Sequence, residues 1–395
     1  MKKFLFGTTA LAAMAFGGVA SAGDVELGLG GYMRAGVAVS DFREQIGSDR
    51  NGDTGEDEDN FGESDSAFHV IRDGEIHFKG KGTLDNGLTI DTRVELEAYG
   101  HSSDIIDENW VRVSSSFGSI LIGSNDDAAY NAGYVGFTQL APDFAVMDGT
   151  LSFVPQNGVA GSGFTLVGGS DALGIHYYTP NISGFSAGIS YHPQLSTDGG
   201  NDAQATGGNN DANIIAVGAS YSNTFGDFDF AIGGGYVSLD GEEPDETVTT
   251  IEPIFPIADA DADGFADVDE VETFTPGDDV EANAWGVGVE LGFAGFGIQG
   301  RYEQADVETN GVDDGDLTAY QIGATYATGP WGFGAGYMFQ EDDDADEELN
   351  QISGGVTYAL GQGVTLGGVI QWGEAEVGAD DEDGIAGALL LGVSF

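Results

Sequence analysis

Apolar residues recur at every second position in runs of about ten residues along most of this chain. In the first run Val25, Leu27, Leu29, Met33, Ala35, Val37 and Val39 share one face, while Glu26, Gly28, Gly30, Tyr32 and Arg34 share the other. Near the C-terminus Val364, Leu366, Ile370 and Trp372 oppose Thr365, Gly367 and Gln371, and the last run gathers Ile385, Leu389, Leu391, Val393 and Phe395. A period of two is that of a β-strand whose two faces meet different surroundings. Tight turns are expected at 85–87, 116–118, 181–184, 224–226, 294–295, 329–330 and 361–363, where Gly, Asn and neighbouring small residues suit short hairpins. Longer segments rich in Asp, Glu, Asn and Gly fall at 40–67, 100–106, 125–171, 194–212, 241–281, 307–316, 341–348 and 375–384. Seven short turns alternating with eight long loops predict sixteen strands, with both chain ends on the short-turn side.

The two faces decide between architectures. A soluble sandwich buries its apolar faces against one another in a packed core. Here the face opposite the apolar one is mostly Gly, Ser, Thr, Gln and charge, too small and polar to fill such a core. The apolar face therefore points outward, into something other than water. Tyr, Phe and Trp sit beside turns or at strand ends (Phe185, Tyr191, Phe228, Tyr236, Trp285, Phe293, Trp331, Tyr358), as in the aromatic girdles at membrane interfaces. After residue 22 no stretch has the roughly 20 apolar residues of a spanning helix, and a closed barrel is the other way to cross a bilayer. The expectation is an all-β, sixteen-stranded antiparallel transmembrane β-barrel with short periplasmic turns and long acidic exterior loops.

Residues 1–22 read as a secretory signal. Lys2 and Lys3 precede an apolar stretch to Val19, and Ala20, Ser21 and Ala22 form a small-residue cleavage site. The chain has no Cys, so its fold is not held by disulfides. Its net charge is −56, and without Lys2 and Lys3 nine basic residues face 67 acidic ones. Nucleic-acid binding is excluded, because phosphate contacts need clustered Lys and Arg. So acidic a chain calls for screening by salt or by bound cations, and its excess carboxylates predict cation selectivity in any channel it forms. One metal motif is sharp: Asp259, Asp261, Asp263, Phe265, Asp267 and Glu270 follow the spacing of a calcium loop, with Gly264 at the turn position. Pro253, Pro256 and Pro276 argue against flanking helices, so the expectation is a structural Ca²⁺ site on an irregular loop, the alternative being a solvated acidic segment. His69, His77, His101, His176 and His192 show no metal spacing, no hydrolase or phosphate-binding motif occurs, and the chain is not expected to be an enzyme.

Arg72 to Gly80, Leu84 to Leu88, Val94 to Glu97, Val111 to Val113, Phe117-Gly118 and Leu121 to Ser124 resemble, in that order, an early-strand block of the general bacterial porins, particularly those of alphaproteobacteria. The terminal Phe395 on an alternating strand is similar to that family's signal to the barrel-assembly machinery. The resemblance implies a homotrimer in outer-membrane lipid, a water-filled channel for passive diffusion of small hydrophilic solutes and ions, and a third loop, 125–171, folded into the barrel. That loop carries Asp126, Asp127, Asp143 and Asp148, and alternation puts Arg34, Arg93 and Arg112 on lumen faces. An arginine on the lipid face costs about 2–4 kcal/mol at mid-membrane, so these positions ask for a polar interior. The expected constriction sets the four loop carboxylates against the three arginines; the simpler reading pairs the arginines with wall acids such as Glu95 and Glu97. A substrate-selective channel, a calcium-dependent surface or adhesion protein and a secreted soluble β-protein are the alternatives. The lengthened acidic segment 241–281 departs from the family pattern.

Overall fold

The computed structural model describes residues 21–22, 25–40, 68–101, 104–133, 135–136, 139–140, 144–145, 172–194, 211–242, 246–253, 268–275, 279–343, 347–377 and 380–395. Sixteen strands build the barrel: β1 Val25–Ser40, β2 Phe68–Thr83, β3 Thr89–His101, β4 Asp104–Ser115 and β5 Gly118–Ser124 come before a short helix, α1, at Ala128–Gly133. After it come β6 Leu173–Tyr178, β7 Phe185–Gln194, β8 Asp211–Phe225, β9 Phe228–Glu242, β10 Asp279–Phe293 and β11 Phe296–Thr309. The last five are β12 Val312–Thr328, β13 Trp331–Asp342, β14 Glu347–Gly361, β15 Val364–Val377 and β16 Asp380–Ser394. Each pairs antiparallel with its sequence neighbours. β1 pairs with β16, from Tyr32 opposite Ser394 to Ser40 opposite Ala386, and the ring closes. Closure leaves no barrel edge with unpaired backbone groups facing lipid. At the seam Gly31 and Phe395 exchange two backbone hydrogen bonds of 3.0 Å.

The apolar face points outward, as the alternation requires. Leu29 is 57 % exposed, Ile122 59 %, Ile298 56 % and Leu389 54 %, values that only a lipid surround makes tolerable over a whole barrel. Aromatic rings flank this band. On the short-turn side Phe228 stacks on Phe293, Phe296 on Tyr326, and Trp331 meets Tyr358 edge-on, with centroids 4.3–4.6 Å apart. On the long-loop side three tyrosines donate to asparagines of the next strand: Tyr191 to Asn213 (3.0 Å), Tyr236 to Asn283 (2.5 Å) and Tyr337 to Asn350 (2.5 Å). A ring in the hydrocarbon with its hydroxyl held at the polar edge is what the membrane interface favours.

Two expectations need correction. Several long acidic segments are much shorter than the sequence suggests, because the strands continue into them. β11 and β12 are joined by Asn310 and Gly311 alone, both at positive φ (55° and 72°), a two-residue hairpin of the kind an Asn-Gly pair favours. Two residues likewise separate β3 from β4 and β15 from β16. Acidic side chains outside the membrane band do not oppose strand pairing, so composition was a poor guide to where the ladders end. Within 241–281, the strands Glu246–Pro253 and Val268–Thr275 form a hairpin of their own, Ile251 opposite Glu270. The second correction concerns the interior, which is not polar all round. Ile214, Ala216, Val237, Leu239, Ala282, Ala284 and Ala305 of β8–β11 point inward and form a buried cluster with Ala129 of α1. The helix α1 lies inside the barrel against that wall, so apolar residues on the inner face there are packed rather than wetted.

Candidate functional site

The interior of β1–β4 carries a band of charge. Arg34 on β1 lies 2.5 Å from Asp73 of β2 and over the ring of Tyr32 (4.9 Å to the centroid). Tyr32 donates to Glu75 at 2.9 Å. Arg112 on β4 pairs with Asp91 of β3 at 2.6 Å and lies over Trp110. Between them Arg93 pairs with Glu95 on its own strand and approaches Glu108 of β4 at 3.9 Å, while one of its amino groups donates to His77 Nδ1 at 3.2 Å. All these side chains come from alternating positions of adjacent strands, so strand period and register alone bring them into one patch. Arg34, Arg93 and Arg112 thus stand on the inner wall, and each has a wall carboxylate as its partner.

The opposite wall holds the inward-folded loop. Asp127 is fully buried, and its Oδ1 accepts the Tyr130 amide at 2.8 Å, capping α1. The Ala128 amide donates to Ser190 Oγ of β7 (2.9 Å), and Ser190 is also bonded to His176 (2.8 Å). At the other end of α1, Arg301 of β11 donates to the Gly133 carbonyl and pairs with Glu303, all within the protein interior. Beyond it the Gly136 amide donates to Glu290 of β10 at 3.0 Å. Where the wall beneath comes closest to this backbone it carries glycine. A Cβ on Gly218 would strike the Ala128 carbonyl, one on Gly233 the Ala132 carbonyl, and one on Gly288 the Val135 carbonyl. Only residues without a side chain let two backbones come so close.

Two of the four loop carboxylates, Asp126 and Asp127, are among the described residues. Asp127 is buried at the start of α1 and caps it. The carbonyl of Asp126 accepts the amide groups of Asn125 and Asn131, which fixes the turn into α1. Asp143 and Asp148 lie outside the described residues, as do Asp259, Asp261, Asp263, Phe265 and Asp267 of the candidate calcium loop; Glu270 is in the strand Val268–Thr275. Two structural residues escaped sequence reasoning. Arg301 alternates with Gln299 and Glu303, so its inward face was readable, but nothing local tied it to residue 133. The second is His77: register puts it opposite Glu95 and two positions from Glu75, company that spacing along the sequence does not display.

The family model of the Gram-negative porins matches residues 7–378, nearly the whole chain. The chain belongs to the Gram-negative porin family. No curated protein matches it in sequence. Among solved structures, the porin is similar to the anion-selective porin from Comamonas acidovorans, at 14 % identity and a TM-score of 0.59, covering 94 % of this chain and 100 % of that one. It is also similar to OmpT of Vibrio cholerae in its trimer form (13 %, TM-score 0.59, 94 % and 100 %) and to a mutant of the Rh. blastica porin (16 %, TM-score 0.51, 93 % and 100 %). At these identities the likeness is one of fold. Family and fold together make this porin an outer-membrane channel, and its charged patch and inward loop line the two sides of the bore.

Proposed function

We propose that this porin is a general, cation-selective diffusion channel that passes small hydrophilic solutes and ions down their gradients without turnover chemistry. The observation that carries the reading is how the basic charge is disposed. Arg34, Arg93, Arg112 and Arg301 are each paired with a wall carboxylate, so these four charges are balanced where they stand. Most of the 67 acidic residues have no basic counterpart anywhere in the chain. Fixed negative charge at a channel mouth concentrates cations and repels anions. The transverse field of the constriction then includes Arg34, Arg93 and Arg112 paired with wall acids. The anion selectivity of the Comamonas protein does not carry over at 14 % identity. Single-channel recording in a tenfold KCl gradient should give a reversal potential of the sign of a K⁺ current, falling towards zero as salt rises; a zero or Cl⁻-directed potential at low salt would refute selectivity for cations. In the same recordings, replacing Arg34, Arg93 and Arg112 with Ala should change the conductance, and unchanged steps would remove them from the constriction.

The homotrimer in outer-membrane lipid is part of the proposal, supported by the fold it shares with a protein solved as a trimer. So is recognition of the C-terminus by the barrel-assembly machinery, for which Phe395, directly after β16, is 40 % exposed. We also infer a structural Ca²⁺ site at 259–270. It would hang from a hairpin rather than from two helices, since Glu270 stands on a strand. Calorimetry should show Ca²⁺-dependent heat that is reduced when 241–281 is deleted, and identical heats would rule it out.

A further inference from the structure

Outside the arginine pairs, the most concentrated set of metal-ligating atoms among the described residues is on β2 and β3. His77 Nε2 lies 2.6 Å from Glu75 Oε2 and 3.2 Å from Glu95 Oε2. One imidazole nitrogen and two carboxylate oxygens, all within 4.8 Å of one another, converge on one spot of the inner wall. The three residues come from rigid, paired strands: His77 faces Glu95 across the ladder, and Glu75 is two positions before His77 on the same face. A second set adjoins it and shares Glu75. Glu75 stands directly opposite Glu97 in register, and Asp107 brings a third carboxylate within 4.8 Å of both. Like charges directly opposed across strands destabilise a sheet unless a cation lies between them. Arg93 is bonded into this group through His77 and Glu95.

We propose that Glu75, His77 and Glu95 form a lumenal site for a divalent transition-metal ion of the Zn²⁺ class, distinct from the acidic calcium loop and independent of the channel's ion selectivity. The donor set selects the metal: imidazole with carboxylates suits Zn²⁺, Cu²⁺ or Ni²⁺ better than Ca²⁺ or Mg²⁺, which prefer oxygen alone. Tetrahedral Zn²⁺ with bonds near 2.0–2.1 Å separates its ligand atoms by roughly 3.3 Å, which the 3.2 Å from His77 Nε2 to Glu95 meets and the 2.6 Å to Glu75 reaches once that hydrogen bond gives way. The fourth position faces the bore. Arg93 gives the site a consequence. It can only donate, so its bond to His77 Nδ1 puts the proton of the neutral ring on Nε2, where it is given to Glu75. A metal at Nε2 displaces that proton, which passes through water to Nδ1, and the resulting Nδ1–H then opposes the guanidinium donor. Arg93 must turn away, towards Glu108 at 3.9 Å. Metal binding would thereby move an arginine of the proposed constriction and alter the current.

Two measurements on the full-length barrel test this, with excess Ca²⁺ present to occupy the hard carboxylate sites. With one equivalent of Cu²⁺, electron paramagnetic resonance of the wild type should show nitrogen coupling from a single imidazole, which His77→Ala abolishes. In planar bilayers, micromolar Zn²⁺ should reduce wild-type conductance reversibly on chelation, and His77→Ala and Glu95→Gln should each need at least tenfold more Zn²⁺. If His77→Ala does not form a barrel, Glu95→Gln and His77→Gln carry the comparison. A wild-type spectrum without nitrogen coupling, or the same Zn²⁺ response in every variant, overturns the site. The reversal potential in KCl alone is unaffected by either outcome, so the site and the proposed selectivity fail separately.

Discussion

Replacing Arg301 with Ala is expected to release the inward loop from the wall and to produce the largest loss of stability of any single substitution in the bore. Arg301 is 5 % exposed, and it joins three things: the Gly133 carbonyl at the end of α1, the carboxylate of Glu303, and the inner face of β11. Truncation would leave Glu303, 3 % exposed, as a buried charge without its partner. Breaking a buried pair from one side costs about 3–5 kcal/mol, far more than the pair contributes relative to an apolar substitute. The barrel, held by its closed ladder, should still assemble, so the damage should appear in the loop. Conductance should become noisy and larger, with a lower temperature for loss of the heat-resistant form. The double variant Arg301→Met with Glu303→Gln removes both charges and should recover most of the stability but not the quiet current. A single variant with wild-type noise and thermal resistance would show that the clamp does not hold the loop.

The second large effect is expected at the glycines under α1. Gly288→Ala sets a methyl group against the Val135 carbonyl, and Gly218→Ala sets one against the Ala128 carbonyl. Overpacking of this kind typically costs about 1–3 kcal/mol, and here the obstacle is backbone, which yields less than a side chain. The cheapest relief is for residues 127–136 to lift off the wall. Each variant should therefore change conductance while the barrel remains intact, because β8 and β10 keep both of their neighbours. Gly28→Ala on the inner face of β1 is the control: its nearest atom, Lys79 Cβ, would be at 3.7 Å, an ordinary contact. Conductance steps equal in all three variants and the wild type would mean that the glycine wall does not set the loop's position.

Alternation along the chain was enough to determine the architecture. Leu29, Ile122 and Leu389 face outward, and Arg34, Arg93 and Arg112 face inward, because a strand has no other period and the bilayer rewards one sorting of its two faces. The strand number followed from turn residues with the right backbone freedom. Composition misled where acidic residues continue a paired ribbon above the membrane, as around Asn310 and Gly311, since charge disfavours burial in lipid and not the ladder itself. What the linear order could not show is which residues meet across the bore. Asp127 as a helix cap, Arg301 on Gly133, the glycine wall beneath α1, and His77 between Glu75 and Glu95 all depend on register or on the path of the third loop. Those contacts join residues up to 168 positions apart. A local pattern fixes the direction in which a side chain points; only the closed barrel, through its pairing offsets and the space inside it, selects the partner it reaches.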